Sequence, residues 1–259
     1  MKLTIYQVDA FTNKVFKGNP AAICPLQEWP DDKILQSIAE ENNLSETAFF
    51  VAANEGFHIR WFTPAKEVDL CGHATLAAAF VIFNEFKYKK DNILFESKSG
   101  ILKVTKDHDL LVMDFPSQPP VACDLPVVIQ QALDTKPVEC LEAEDYLIVL
   151  NNEKEVLDAN PDLGLLNDID LRGVILTAES ESYDFISRFF APKYGINEDP
   201  VTGSAHTQLI PYWAQKMNKN KFHTKQISNR GGELFCELLN DRVSIAGYAV
   251  KYMQGEIEI

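Results

Sequence analysis

Three side chains in this sequence are of types that move protons and stand in settings that would tune them: Glu46, His73 and Asp199. Glu46 lies in Leu44-Ser45-Glu46-Thr47-Ala48-Phe49, where a helical pattern gives way to an apolar strand pattern. A carboxylate beside buried aromatics has its charged form disfavoured, which raises its pKa toward the range useful for general acid and base work. The plainer reading is a solvated loop glutamate. His73 opens a segment that is apolar nearly all round, so it is either a hydrogen-bonded core histidine or a proton carrier. A helix start lowers an imidazole pKa and favours the neutral ring. Asp199, in Asn197-Glu198-Asp199-Pro200-Val201-Thr202-Gly203, either favours the following helix terminus by its charge or takes part in a site that faces His73.

Cys71-Gly72-His73-Ala74 and Thr202-Gly203-Ser204-Ala205 each place a glycine where a loop enters an apolar helix. Small residues let a ligand come close to the backbone, and a helix start offers unpaired N–H groups with a partial positive charge. Each is a candidate carboxylate cradle, and the plainer alternative is two glycine-initiated helices without a ligand. Cys71 and His73 are weak as a metal pair because no second cluster stands at ligand spacing. Cys71 is otherwise a reactive thiol or a small apolar filler. No GxGxxG, Walker loop or GxSxG elbow occurs, which removes the usual sequence warrants for nucleotide cofactors and serine hydrolysis. Neither a metal nor an organic cofactor is expected.

The elements that position these residues come in two copies. Residues 60–64 read RWFTP and residues 188–192 read RFFAP; Gly72 is answered by Gly203, and Gly100-Ile101-Leu102 by Gly232-Glu233-Leu234, at offsets of 128, 131 and 132. Such self-similarity implies two similar lobes of roughly 120 to 130 residues. If the lobes face each other, both glycine cradles serve one cleft. Glu46, His73 and Asp199 have no counterparts in the opposite half, so function is expected in the asymmetry.

In the first copy, Lys2–Val8 alternates as a strand, and the turn-rich Lys17-Gly18-Asn19-Pro20 predicts an edge or hairpin. Residues 30–43 predict an amphipathic helix, and 47–53 with 57–62 an antiparallel pair. Residues 73–86 predict a helix buried on every side, threading a sheet or barrel, and strands follow at 93–97, 101–105 and 110–115. Pro116-Ser117-Gln118-Pro119-Pro120 predicts a linker, which gives lobes over 1–116 and 121–249 with a tail, about 250–259, crossing back to the first. The second copy is looser: a short helix over 126–133, strands within 138–150, a polar loop around Asn160-Pro161, strands at 173–178 and 183–190, a helix from near Gly203 that Pro211 kinks or shifts, and strands at 233–238 and 242–250.

The net charge of -14 argues against nucleic acid or an anionic membrane as partner, since both need clustered cations. The five cysteines are odd in number and never form CxxC, which suggests neither a disulfide framework nor a thiolate metal site. The start, MKLTIYQVDAF, lacks the regions of a signal peptide, and the longest apolar stretch, Ala74 to Phe83, is too short to span a bilayer. A cytoplasmic setting is expected.

Five motifs then point to a family: VDAFTNKVFKGNPAAICPL at 8–26, SETAFF at 45–50, VDLCGHATLAAA at 68–79, MDFP at 113–116 and EDPVTGSAHTQLIPYW at 198–213. They resemble the PhzF-like proteins of phenazine biosynthesis, from the first strand to the closing strands. The resemblance implies the diaminopimelate-epimerase-like fold: α+β, two similar pseudo-symmetric lobes, each a curved, mostly antiparallel sheet wrapped around a central helix, with the active site between them. It implies a cofactor-free isomerase that shifts a proton within a small cyclic or amino-acid-like carboxylate, Glu46 acting as general acid and base beside His73 and Asp199. Asn19, Gly72, Thr202, Gly203 and Ser204 are the implied substrate-binding set, and a homodimer is the implied assembly. Related epimerases of this fold use one cysteine per lobe, whereas here Cys71 has no partner thiol, which counts against a two-thiol racemase. A racemase or dehydratase of proline-like amino acids and a silent metabolite-binding protein remain the alternatives.

Overall fold

The computed structural model describes residues 2–133 and 135–259. The chain divides into two compact units, residues 1–114 with 246–259, and residues 115–245.

In the first unit, β1 (Lys2–Ala10) and β2 (Asn19–Leu26) are an antiparallel pair, α1 (Asp32–Asn42) crosses over, and β3 (Glu46–Ala53) runs parallel to β2. β4 (Gly56–Phe62) returns antiparallel to β3, and the short β5 (Glu67–Val68) pairs with its end. After α2 (Gly72–Asn84), β6 (Asn92–Ser97) runs parallel to β4, and β7 (Gly100–Asp107) and β8 (Leu110–Pro116) continue antiparallel. The last strand of the chain, β17 (Ala249–Glu258), pairs antiparallel with β1. The strand order is therefore β17-β1-β2-β3-β4-β6-β7-β8.

The second unit contains β9 (Val121–Ala122), α3 (Val127–Ala132), β10 (Glu139–Glu142), β11 (Tyr146–Val149), α4 (Glu153–Asp158), α5 (Leu163–Leu166), β12 (Val174–Glu179), β13 (Phe185–Phe190), α6 (His206–Met217), β14 (Lys221–Gln226), β15 (Gly232–Leu239) and β16 (Arg242–Gly247), the last running on into the first unit. Its pairings from β9 to β15 repeat those from β17 to β7 in order and sense: antiparallel, antiparallel, parallel, antiparallel, parallel, antiparallel. A parallel neighbour needs a crossover. In each unit helices supply it at the same two places.

The central helix of the first unit carries no polar stripe. His73 to Ala79 and Val81 to Phe83 are buried, and α2 packs against β1, β2, β3 and β17. Side chains alternate across a strand. Ala22 and Cys24 of β2 and Phe49 of β3 therefore join Leu35, Ile38 and Ala39 of α1 on one face of the sheet, and the other face is left for α2. In the second unit α6 stacks Trp213 on Phe185 at 5.4 Å between ring centroids.

Several boundaries differ from the sequence expectation. α6 begins at His206, not near Gly203, because Gly203, Ser204 and Ala205 accept tight i+3 bonds from His206, Thr207 and Gln208. Residues 242–250 are two strands with a break at Tyr248, and β14, α4 and α5 were not anticipated. The proline cluster is bound instead of loose: Ser117 N–H donates to Asp241 O, and Gln118 N–H donates at 3.0 Å to Thr207 O. Thr207 O is the carbonyl that an N–H at position 211 would have used, and Pro211 has none. No helix among the described residues is long and apolar enough to cross a membrane.

Candidate active site

Glu46 is placed by backbone register. Asn43 ends α1 in the left-handed conformation (φ 48°, ψ 36°), two residues turn the chain, and β3 starts at Glu46 opposite Ala21 of β2. Asn19 lies two residues before Ala21 and so shares its face. That is the face covered by α2, whose first turn brings His73 to the same point. Glu46 Oε2 lies 3.1 Å from His73 Nε2, Asn19 Nδ2 3.2 Å from His73 Nδ1, and Cys71 Sγ 3.5 Å from Nδ1. All four residues are buried, and Asn19 is fully so. Four of the expected positions in the first unit, counting Cys71, thus form one cluster. Gly72, the fifth, opens α2 between Cys71 and His73; Cys71 gives no side-chain cap, so the first-turn amides keep their partial positive charge.

The protonation of this cluster differs from expectation. Burial pulls an imidazole down, and a helix start pulls the same way. The Cys71 sulfur and the Glu46 carboxylate, both against the ring, outweigh these and hold the His73 imidazole well above its ordinary value, so the neutral ring expected from the helix start is corrected. Cys71 also faces the ring, but burial pushes its thiol up to about 11. It is therefore uncharged near neutral pH, which leaves Glu46 as the carboxylate beside the ring. Asn19 Nδ2 donating to Nδ1 leaves the ring proton on Nε2, toward Glu46; turning the amide over presents Oδ1 and lets the ring carry a second proton. The carboxylate is close to the ring without being saturated by it, since buried Oε2 has no well-aligned hydrogen-bond donor. A carboxylate with spare lone pairs and an imidazole one proton-transfer away can accept and return a proton. Glu46, Cys71 and His73 also present three potential ligand atoms within 4.8 Å of one another, a set suited to Zn2+ once the thiol is deprotonated. Glu46 is too remote in sequence from Cys71 and His73 for spacing to reveal that third donor.

In the second unit Asp199, Thr202, Gly203 and Ser204 lie in the loop between β13 and α6. Asp199 is buried and accepts from Thr202 Oγ1 at 2.5 Å. It is no helix cap, because α6 starts seven residues later, and its partner lies within the loop. Gln226, at the end of β14 and fully buried, fastens the loop: its Oε1 accepts from Thr202 N–H at 2.8 Å, and its Nε2 donates to Asp199 O at 2.8 Å and to Thr202 Oγ1 at 3.1 Å. The sequence reading missed Gln226. It lies on β14, whose inward positions Thr224 and Gln226 are polar, so no alternation in the sequence marks it. Ser204 is partly exposed and Gly203 buried, both in the tight turn ahead of α6.

Comparison with known proteins follows the same lines. The model of a family described as phenazine biosynthesis-like protein matches residues 8–255. An uncharacterized isomerase of Pseudomonas aeruginosa is 48% identical over 259 residues, covering 100% of both chains. The crystal structure of a PhzF-family phenazine biosynthesis protein from Enterococcus faecalis superposes with a TM-score of 0.98 at 46% identity, again over 100% of both chains. A probable proline racemase from Agrobacterium radiobacter matches at a TM-score of 0.67 with 9% identity, covering 99% of this chain and 93% of its own, which is a likeness of fold.

Proposed function

The chain belongs to the phenazine biosynthesis-like family, and on that premise we propose that it is an isomerase that moves a proton within a small carboxylate-bearing metabolite, with Glu46 as general acid and base. The observation that carries this reading is the buried Glu46 carboxylate, whose Oε2 lacks an aligned donor while an imidazole lies 3.1 Å away. Glu46 removes a proton from a substrate carbon, the negative charge spreads into the adjoining unsaturated system, and Glu46 returns the proton at a second carbon. The enzyme ends as it began, so no redox partner enters. His73, its proton retained by Glu46 and its ring held by Asn19, supplies positive charge as the carbanion develops.

The first-turn amides around Gly72 bind an anionic group of the ligand. Asp199 is assigned to an amine or hydroxyl of a ligand, with Ser204 adding a hydrogen bond and Gln226 fixing the loop from behind. A two-thiol epimerase is disfavoured because the position matching Cys71 in the second copy is Thr202. Neither a metal nor an organic cofactor is required by the proposal, so a chelator leaves turnover unchanged. A homodimer belongs to the same proposal and is checked by sedimentation.

The test is incubation with candidate cyclic amino acids in heavy water. Carbon-bound deuterium in the recovered compound, lost in Glu46→Gln while that variant still binds it, supports the reading. Binding by the wild type with no exchange identifies a ligand-binding protein and ends the isomerase assignment.

A further inference from the structure

Outside the Glu46 cluster, one pair of side chains among the described residues is arranged for bond formation. Register places Ala122 opposite Leu141 and Val121 opposite Glu142 in the antiparallel pair β9–β10, so one step further Cys123 stands opposite Cys140. Cys123 N–H donates to Cys140 O at 3.1 Å, and the two Sγ atoms are 3.4 Å apart. Directly opposite, hydrogen-bonded residues of an antiparallel pair have Cα atoms about 5.5 Å apart, inside the range a disulfide bridges. Both thiols are partly exposed, whereas Cys24, Cys71 and Cys236 are buried.

We propose that Cys123 and Cys140 are a reversible dithiol modification site, closing to an intramolecular disulfide on exposure to a low-molecular-weight disulfide and reopening with a thiol. In the first step the Cys123 thiolate attacks one sulfur of glutathione disulfide, forms a mixed disulfide and releases one glutathione thiolate. In the second the Cys140 thiolate attacks the Cys123 sulfur and displaces the other glutathione. Two protein thiols and one glutathione disulfide thus become one protein disulfide and two glutathione thiols, which carry away both protons and both electrons. Cys123 is the more open partner, which gives it the first step, and Cys140 resolves. Burial, with the carboxylates of Glu142 and Asp124 nearby, keeps the thiols protonated near neutral pH. The reaction is therefore slow there and accelerates toward alkaline pH. The bridge staples β9, the strand that follows the proline cluster, to β10. A cross-strand bond at a hydrogen-bonded pair gives up little freedom in a ladder already formed, so its effect falls on fraying of this edge.

The full chain is incubated with glutathione disulfide at mildly alkaline pH, quenched with acid, and its thiols are counted after denaturation. The result expected is loss of two hydrogen atoms in intact mass, a fall from five thiols to three (five minus two), one cross-linked peptide pair containing Cys123 and Cys140, and recovery of all five with dithiothreitol. Cys123→Ser and Cys140→Ser each abolish the two-hydrogen loss, and the cysteine that remains accumulates a single glutathione. The initial rate rises nearly tenfold for each pH unit below the thiol pKa. A wild-type chain that keeps five thiols, stalls as a glutathione adduct, or links any other pair of cysteines overturns the proposal.

Discussion

The two copies of the hairpin-and-turn motif keep one ion pair and part company over one side chain. In the first unit Arg60 donates from Nε and Nη2 to Glu67 at 2.8 and 3.0 Å, with its guanidinium 5.1 Å above the Phe62 ring. In the second, Arg188 donates from the same two nitrogens to Glu198 at 2.6 and 3.0 Å, 4.9 Å above Phe190. The shared part is scaffold. The register then shows what was not kept: Thr47 is opposite Phe62 and Val174 is opposite Phe190, so the place of Glu46 is taken by Gly173. A Cβ at Gly173 would meet Phe189 Cζ at 2.7 Å and Phe190 O at 2.7 Å. The second unit has closed the space that holds the carboxylate in the first. Just before it, Arg172 makes an ion pair with buried Asp145, which also accepts from Gln208 Nε2 at 2.9 Å. The lesson is that a duplicated frame is retained by its packing, while a buried carboxylate persists only where the packing leaves it room.

Two histidines extend the contrast. His73 and His206 each sit in the first turn of their unit's central helix, and both are buried. His206 donates from Nδ1 to Thr202 O at 2.9 Å and stacks on Phe185, with no partner at Nε2. Burial without a counter-charge pushes its pKa down to about 4, whereas the Cys71 sulfur and the Glu46 carboxylate beside His73 push that ring up. Both are buried; the neighbours decide the sign.

The largest test of this comparison is Glu46→Gln against Asp199→Asn. The first removes the proposed proton carrier and lowers exchange about 10²–10⁴-fold with folding unchanged; the second, a proposed binding residue, costs less. A larger loss from Asp199→Asn would reverse the assignment of roles. NMR titration of His73 belongs to the same experiment, because Glu46→Gln removes the counter-charge and brings the ring down.

Next is acid stability. His206 has a folded pKa below its unfolded value of about 6.5, so its contribution is full above that value and is lost as pH falls through about 4. The amount is about 3 kcal/mol, and His206→Gln should flatten that part of the pH profile in urea unfolding by difference from wild type. His73 has the opposite sign: its contribution is full below about 6.5 and is lost as pH rises through its raised value. Profiles for His73→Gln and His206→Gln that bend the same way would undo the contrast.

Gly173→Ala should cost about 1–3 kcal/mol by forcing a methyl against Phe189 and the Phe190 carbonyl, read as a lower urea midpoint. A neutral result would mean that the second unit has room for a side chain after all. The smallest effect is expected from Arg60→Lys and Arg188→Lys, each losing a two-point contact and a stacked plane for about 1 kcal/mol. Arg188→Lys should cost the more, because its Nη1 also donates to Val156 O and Ala159 O whereas that of Arg60 meets the exposed Asp32; equal losses would show that the repeated two-point pair alone sets the cost.

Much of this was legible in the residues. The repeated RWFTP and RFFAP stretches locate β4 and β13 with their following turns, and the apolar run from Ala74, broken only by Thr75, marks a helix enclosed on all sides. β14 escaped because Thr224 and Gln226 occupy its inward positions, so the alternation that signals a strand in sequence is absent. The start of α6 escaped because a 3-10 turn and an α-helical turn share the same residue preferences there, and the long-range bond from Gln118 to the acceptor left open by Pro211 has no local trace.

The amino-acid order alone determined which residues could be buried, where the chain had to turn and that the frame was built twice, because these depend on side chains within a few positions of one another. The tertiary structure decided that Asn19, Glu46 and His73 meet, that Glu46 keeps the space Gly173 lacks, and that one buried histidine is raised while the other is lowered. Those outcomes depend on strand register and on the distance between charges far apart in sequence, and a pattern of neighbours along the chain carries neither.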